Sequence, residues 1–163
     1  MTKNKEHDKM TMENGISVGG NMDEFVKMLC SELEYVKHEI ESDLIKIYVK
    51  SNRREAKCPY CEEMGRRKHS HYERRFRDLP IQGKKVEIIL DNQKYFCSNP
   101  DCRHKTFAET FDCLPRKGKR SKRLTESIIE LSLNVSAVTA ASILRKGTAD
   151  VGKSTICNLL KKR

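Results

Sequence analysis

The spacing of apolar residues changes several times along the chain, and each change marks an element. From Asp23 onward, Phe25, Met28, Leu29, Leu33, Val36 and Ile40 recur mostly at steps of three and four, which predicts an amphipathic helix over about 22–41 capped by Asn21 or Asp23. Leu44, Ile45, Ile47 and Val49 then give a β-rich run. A basic, partly alternating stretch, Arg66 to Arg77, leads to Pro80 and Gly83, which predict a turn. Val86–Leu90 and Lys94–Cys97 read as the next two strands. The last forty residues return to helical spacing. Leu124, Ile128, Ile129, Leu131 and Leu133 predict a helix over about 123–134. Ser136 or Thr139 starts a short Ala-rich one, Ala137–Lys146, which Gly147 ends, and a third follows from Lys153 with Ile156, Leu159 and Leu160 facing inward.

Seven cysteines change this picture, because four fall in two short pairs. Cys58-Pro59-Tyr60-Cys61 and Cys97-Ser98-Asn99-Pro100-Asp101-Cys102 each sit on a Pro-containing turn, with strand sequence between them. Two such turns bring four thiolates onto one ion at about 2.3 Å, so Cys58, Cys61, Cys97 and Cys102 are read as ligands of a structural Zn2+. Two disulfides would use the same residues, but residues 1–20 lack the apolar core of a secretion signal. A redox C-x-x-C needs a βαβ context that does not follow Cys61. His69, His71 and His104 compete for a ligand place, yet four cysteines already complete a tetrahedron. Cys30, Cys113 and Cys157 sit among apolar neighbours and read as small core residues.

Charge separates the two ends. The formal net charge is +10, but residues 1–50 hold 7 Lys against 10 Asp+Glu, while residues 51–163 hold 26 Lys+Arg against 13 Asp+Glu. The zinc region and everything after it is therefore expected to meet a polyanion. Arg116, Lys117, Lys119, Arg120, Lys122 and Arg123 make a flexible basic linker suited to phosphates. Beyond it, two short helices joined by a Gly-containing turn follow helix-turn-helix grammar. The second would enter the major groove and present Lys153, Ser154, Thr155, Asn158 and Lys161. Tyr72, Phe76, Tyr95 and Phe96 interleave with cations and either stack on bases or cover the small sheet.

Gly147–Ser154 also matches the GxxxxGK[ST] phosphate loop, but that loop needs a strand before it and a long helix after it, so ATP is not expected. No apolar run reaches the roughly eighteen residues of a membrane span, and a cytoplasmic, nucleoid-associated protein is expected. The expected fold class is α+β: a small zinc-ribbon-like antiparallel β domain preceded by a helix and followed by a helical DNA-binding unit. Its divisions are a disordered N-terminus 1–21, a helix plus zinc-binding β domain 22–114, the linker 115–123 and a helix-turn-helix 124–163.

The assembled motifs resemble the ISL-three family of bacterial insertion-sequence transposases. The residues that carry the resemblance are Cys58-Pro59-Tyr60-Cys61, His69-Ser70-His71-Tyr72, Arg74, Asp78–Gly83, Lys94–Cys97, Cys102 and Lys105–Glu109, and it covers about residues 22–163. It implies a zinc-dependent part of a transposase, truncated or standalone, that binds double-stranded DNA at the terminal inverted repeats, with homodimerisation open and no small-molecule substrate. In that family a C-terminal RNase H-like domain with an acidic triad performs strand transfer; no residue here matches the triad, so the chain is not expected to be an enzyme. Two departures stand out: Gln93 where the family often has Arg, and Gly152 in place of a helix-starting Ser. The alternatives are a zinc-ribbon binder of RNA or non-specific DNA, and a repressor of transposition.

Overall fold

The computed structural model describes residues 19–162; most of the N-terminal stretch expected to be disordered lies outside them. The fold is α+β and is built around one long hairpin. Strand β5, Lys68–Ile81, turns back through Gln82 and Gly83 into β6, Lys84–Phe96. Both turn residues have positive φ, 48° and 76°, the geometry of a tight hairpin turn whose twist matches the strands. Three earlier elements lean on this hairpin: α1 (Gly19–Leu29), β1 (Leu33–Ile40) and β2 (Leu44–Ser51). The sheet order is β1-β2-β6-β5, and β7 (Thr106–Ala108) pairs with the far end of β6.

One expected element needs correction, the helix over 22–41: the helix stops at Leu29, and residues 33–40 form a strand. Leu33, Val36 and Ile40 share no buried face: Leu33 is buried, whereas Val36, at a bulge between Tyr35 and Lys37, and Ile40 are exposed, so their steps of three and four mark no helix. Asp23 is not a cap but an internal helical residue; its carboxylate accepts the Tyr35 backbone N–H at 3.1 Å. The sheet is mostly antiparallel, as expected, with one parallel pair. β2 runs parallel to β6, Ile45 beside Val86 and Val49 beside Leu90, because the zinc knuckle and all of β5 intervene between the two strands.

Alternation on the strands then makes one core. Ile45, Ile47 and Val49 of β2, Val86, Ile88 and Leu90 of β6 and Phe76 of β5 face Val26 and Leu29 of α1 together with Phe111 and Leu114. Cys30 is part of this core and Cys113 packs against it. The opposite face of the sheet is charged, with Lys50 3.4 Å from Glu34 and Arg75 2.6 Å from Glu73.

The C-terminal helices are α2 (Lys122–Asn134), α3 (Ala137–Arg145) and α4 (Lys153–Leu160). Ser121 caps α2 by accepting the Leu124 N–H, and Ser136 caps α3 by accepting that of Thr139, each at 3.2 Å. Leu124, Ile128, Ala140, Ala141, Leu144 and Ile156 close their shared core, and Leu79 of β5 packs against it. The helical unit is thus seated on the hairpin end. The linker that leads to it is not a free tether: Arg77 N–H donates to the Lys119 carbonyl and Ser121 N–H to the Arg77 carbonyl, both at 2.9 Å, adding a short segment to the β5 edge. Among the described residues no helix is long and apolar enough to cross a membrane.

Candidate metal centre and nucleic-acid interface

The metal centre is assembled from two tight turns held at fixed spacing by the sheet. The first sits on a miniature hairpin, β3 (Ala56–Lys57) against β4 (Met64–Gly65). Cys58 N–H donates to the Glu63 carbonyl at 2.8 Å and Glu62 N–H to the Cys58 carbonyl at 2.9 Å, while Glu62 takes a positive φ of 67°. This closes the loop so that Cys58 and Cys61 point the same way. The second turn follows β6. Asn99 accepts the Asp101 N–H on its side chain at 2.9 Å and the Cys102 N–H on its carbonyl at 3.2 Å, and Cys97 N–H reaches the Lys105 carbonyl at 2.9 Å. Ser98 ties this turn to the first by donating to the Met64 carbonyl at 3.0 Å.

All four sulfurs lie within 4.8 Å of one another, and Cys61 Sγ is 3.4 Å from Cys97 Sγ. A tetrahedron with arms of about 2.3 Å has edges of about 3.8 Å, so the cluster is the size of a zinc site. The same separation is well beyond the roughly 2.05 Å of a disulfide, and all seven cysteines are free. The thiols are not equivalent: the backbone N–H of Glu63 draws Cys61 down to about 7, and burial pushes Cys97 up to about 12. A zinc ion held there would keep the ligating sulfurs as thiolates. The three histidines are engaged elsewhere. His104 stacks on Tyr60 at 3.6 Å, His69 meets the Phe96 ring edge-on at 4.8 Å, and His71 is 2.7 Å from Asp91.

Beneath the cluster lies its own small core of Ala56, Tyr95 and Phe107. Gly65 is obligatory there: a Cβ would sit 2.6 Å from the Phe96 carbonyl oxygen and 2.7 Å from the Phe107 ring. Of the four aromatics expected either to stack or to cover, Phe76 and Tyr95 are buried, whereas Tyr72 stays 40% exposed. Phe96 lies under the Arg67 guanidinium at 3.9 Å. Tyr60, which sequence spacing did not single out, is half exposed, with Arg116 5.2 Å from its ring centroid. Tyr60, Tyr72, Arg74, Thr110, Arg116 and Lys117 line a groove of about 580 Å3.

The residues expected to meet DNA fall into three groups. Arg116, Lys117, Lys119 and Lys122 are exposed and Arg120 is half-buried along the linker. Arg123 is turned inward: its Nε donates to the buried Asp78 carboxylate at 2.8 Å, so its charge is already matched. On α4, Ile156 is buried, Thr155 is half-buried, and Lys153, Ser154, Asn158 and Lys161 are exposed. Ser154, Asn158 and Lys161 follow one another at i, i+4 and i+7, which places them on one helix face. Sequence reading missed Arg145 and Lys146, which join Lys153 around a shallow depression between α3 and α4. The Gly147–Ser154 loop connects two helices, α3 and an α4 of 8 residues, not the strand and long helix of a nucleotide-binding loop.

Comparison with known proteins bears on the metal centre. Residues 54–102 match the family model for the zinc-finger of transposase IS204/IS1001/IS1096/IS1165, a span that begins just before the first knuckle and ends on the fourth cysteine. No curated protein and no solved structure matches the chain.

Proposed function

We propose that this chain is the non-catalytic DNA-binding part of an ISL-three type transposase and recognises the terminal inverted repeats of the element, a reading supported by the match of residues 54–102 to the transposase zinc-finger family model and by four cysteines placed to hold a structural Zn2+. In this reading the ion holds the ribbon, the exposed linker cations take backbone phosphates, and α4 reads base edges in the major groove. The observation that carries it is the exposed polar face of α4, Ser154, Asn158 and Lys161, on a helical unit that Leu79, Asp78 and the linker lock onto the zinc-bearing hairpin. A locked unit presents α4 and the basic linker at a fixed angle, which is what reading bases at one register along a duplex requires.

A nuclease footprint of the zinc-loaded protein on DNA carrying its own gene and flanks tests the reading, with a chelated sample beside it. Discrete, zinc-dependent protection at inverted repeats is expected. Asn158→Ala should narrow the gap between cognate and random DNA by about 1–3 kcal/mol, while Lys117→Ala with Lys119→Ala should weaken both equally and flatten the salt dependence by about 0.9 per lost phosphate. Uniform protection would reduce the chain to a non-specific binder. Tighter binding to single-stranded RNA than to duplex at matched salt would instead favour the Tyr60–Tyr72 groove as a base-stacking surface.

A further inference from the structure

At the opposite end of the hairpin from the metal, four cations meet around a second cavity. Both backbone groups of Arg77 are taken by the linker, its N–H by Lys119 and its carbonyl by Ser121. That pairing sets the Arg77 side chain beside Lys119 and Arg120. Lys85, near the start of β6, reaches Asp150 in the turn before α4, with its Nζ 3.0 and 3.1 Å from the two carboxylate oxygens. Arg77, Lys85, Lys119 and Arg120 line a cavity of about 200 Å3 whose remaining wall is the turn Thr148–Val151.

Charge in this cavity is unbalanced. Asp150 is matched by Lys85, and Glu87 lies 3.7 Å from Arg77 Nη2, too far for a good hydrogen bond. Lys119 and Arg120 have no carboxylate partner among the described residues, so two positive charges remain over. Arg77 adds an unmet donor: its Nη1 is buried and has no hydrogen-bond partner among the described residues. A buried guanidinium N–H without an acceptor is costly and is rarely tolerated in a native structure unless something fills it. A planar fork beside flexible ammonium groups is the donor set that recognises the oxygens of a phosphate.

We propose that this cavity holds one backbone phosphate of bound DNA, with Arg77 as its ligand from the sheet and Lys119 and Arg120 as its ligands from the linker, while Lys85 neutralises Asp150 at the cavity's edge. The proposal rests on the DNA-binding reading above. It adds a strand residue, Arg77, to the contact surface and gives the contact a second effect. The phosphate sits between the hairpin and the turn that leads into α4, so binding it fixes the approach of that helix to the groove. DNA would then complete the junction between the two modules as well as occupy it.

The test uses the full zinc-loaded chain and a 30-base-pair random duplex, titrated between 50 and 200 mM KCl, with wild type, Arg77→Gln and Arg120→Gln compared after circular dichroism confirms that each is folded. A log–log salt slope shallower by about 0.9 in each folded variant is expected. Scanning a duplex of the footprinted inverted repeat with single methylphosphonate substitutions should show one position that weakens wild type and leaves Arg77→Gln unaffected. Unchanged slopes in both variants, or equal sensitivity of wild type and variant at every position, would overturn the proposal while leaving DNA binding intact. Stabilisation of wild type but not Arg77→Gln by inorganic phosphate at constant ionic strength, with unchanged DNA slopes, would overturn it in favour of a free-anion site. Failure of wild type to bind duplex at 50 mM KCl would sink the DNA-binding reading itself.

Discussion

The buried carboxylate of Asp78 in β5 holds the guanidinium of Arg123 in α2, with Nε 2.8 Å from Oδ1 and Nη2 on Oδ2. Ser121, the cap of α2, donates its hydroxyl to the same Oδ1 at 2.7 Å. One carboxylate therefore sets the start of the helical unit and its attachment to the sheet. Asp78→Ala leaves a buried hydroxyl and a half-buried guanidinium short of an acceptor. It should cost about 3–4 kcal/mol, the lower part of the range for a broken buried pair because Arg123 keeps some contact with water. Urea unfolding of zinc-loaded protein measures it. Arg123→Ala should likewise lower stability, and any loss of DNA affinity should follow the loss of fold; a fully stable Arg123→Ala with a flattened salt slope would return this residue to the phosphate contacts.

The zinc ribbon carries the second prediction. Its core is small, and the ion supplies a share of the folding free energy that packing cannot, on the order of 10–16 kcal/mol of apparent binding in comparable small domains. Cys58→Ser and Cys97→Ser should each abolish stoichiometric zinc, and chelation should loosen Tyr95 and Phe107, which pack against the ligands. Metal analysis and the near-ultraviolet signal of Tyr95 follow the two effects. One full zinc equivalent retained in either variant would contradict the ligand set.

What could be read from the chain, and what could not, divides by the distance over which a residue's partner lies. The knuckles were legible because Cys58 and Cys61, like Cys97 and Cys102, are fixed by turns a few residues long. The helices α2 and α3 were legible because Leu124, Ile128 and Leu131 repeat within one segment and Ser136 caps from within its own. The bulge in β1 was not, since nothing local distinguishes its three- and four-residue steps from a helix; its pairing with β2 decides the matter. Nor were the roles of Arg77, Asp78 and Lys85, whose partners lie 42 to 65 residues away. A run of six linker cations looks uniform in sequence, yet Arg123 is spent on Asp78 and Arg120 is drawn to the β5 edge.

Gly152 offers the third prediction. It stands at the N-cap of α4 with extended backbone, φ −93° and ψ 163°, and contributes no side-chain hydrogen bond. A Ser fits this conformation, and its Cβ would come no closer than 3.8 Å to Arg145 Nη2. Gly152→Ser should therefore cap α4 and raise stability by a few tenths of a kcal/mol, the usual difference between Gly and a hydroxyl cap. Thermal unfolding measures it. A loss of stability would mean that the cap geometry is not that of a free N-terminus.

Glu109 carries the last prediction, because it substitutes for a missing piece of strand. β2 and β7 lie end to end along the same side of β6, and their pairing with it leaves a gap at Asn92 and Gln93. Glu109 fills it: its N–H donates to the Gln93 carbonyl at 3.0 Å, and its carboxylate accepts the Gln93 N–H and the Ser51 hydroxyl, both at 2.8 Å. The side chain is almost fully buried, and burial lifts its carboxyl above the usual range. A carboxyl whose pKa is higher folded than unfolded favours folding when protonated, so its contribution falls as pH rises from the ordinary carboxyl value through the raised one. Glu109→Gln can keep both contacts, its oxygen accepting from Gln93 and its amide donating to Ser51. It should erase that decline and be at least as stable as wild type at neutral pH. Glu109→Ala should instead orphan the Gln93 N–H and cost about 1–3 kcal/mol at every pH. Unfolding free energies of the three proteins between pH 5 and 8 separate these outcomes; a Gln variant that is as weak as the Ala variant would show that the negative charge, not the acceptor, holds the gap closed.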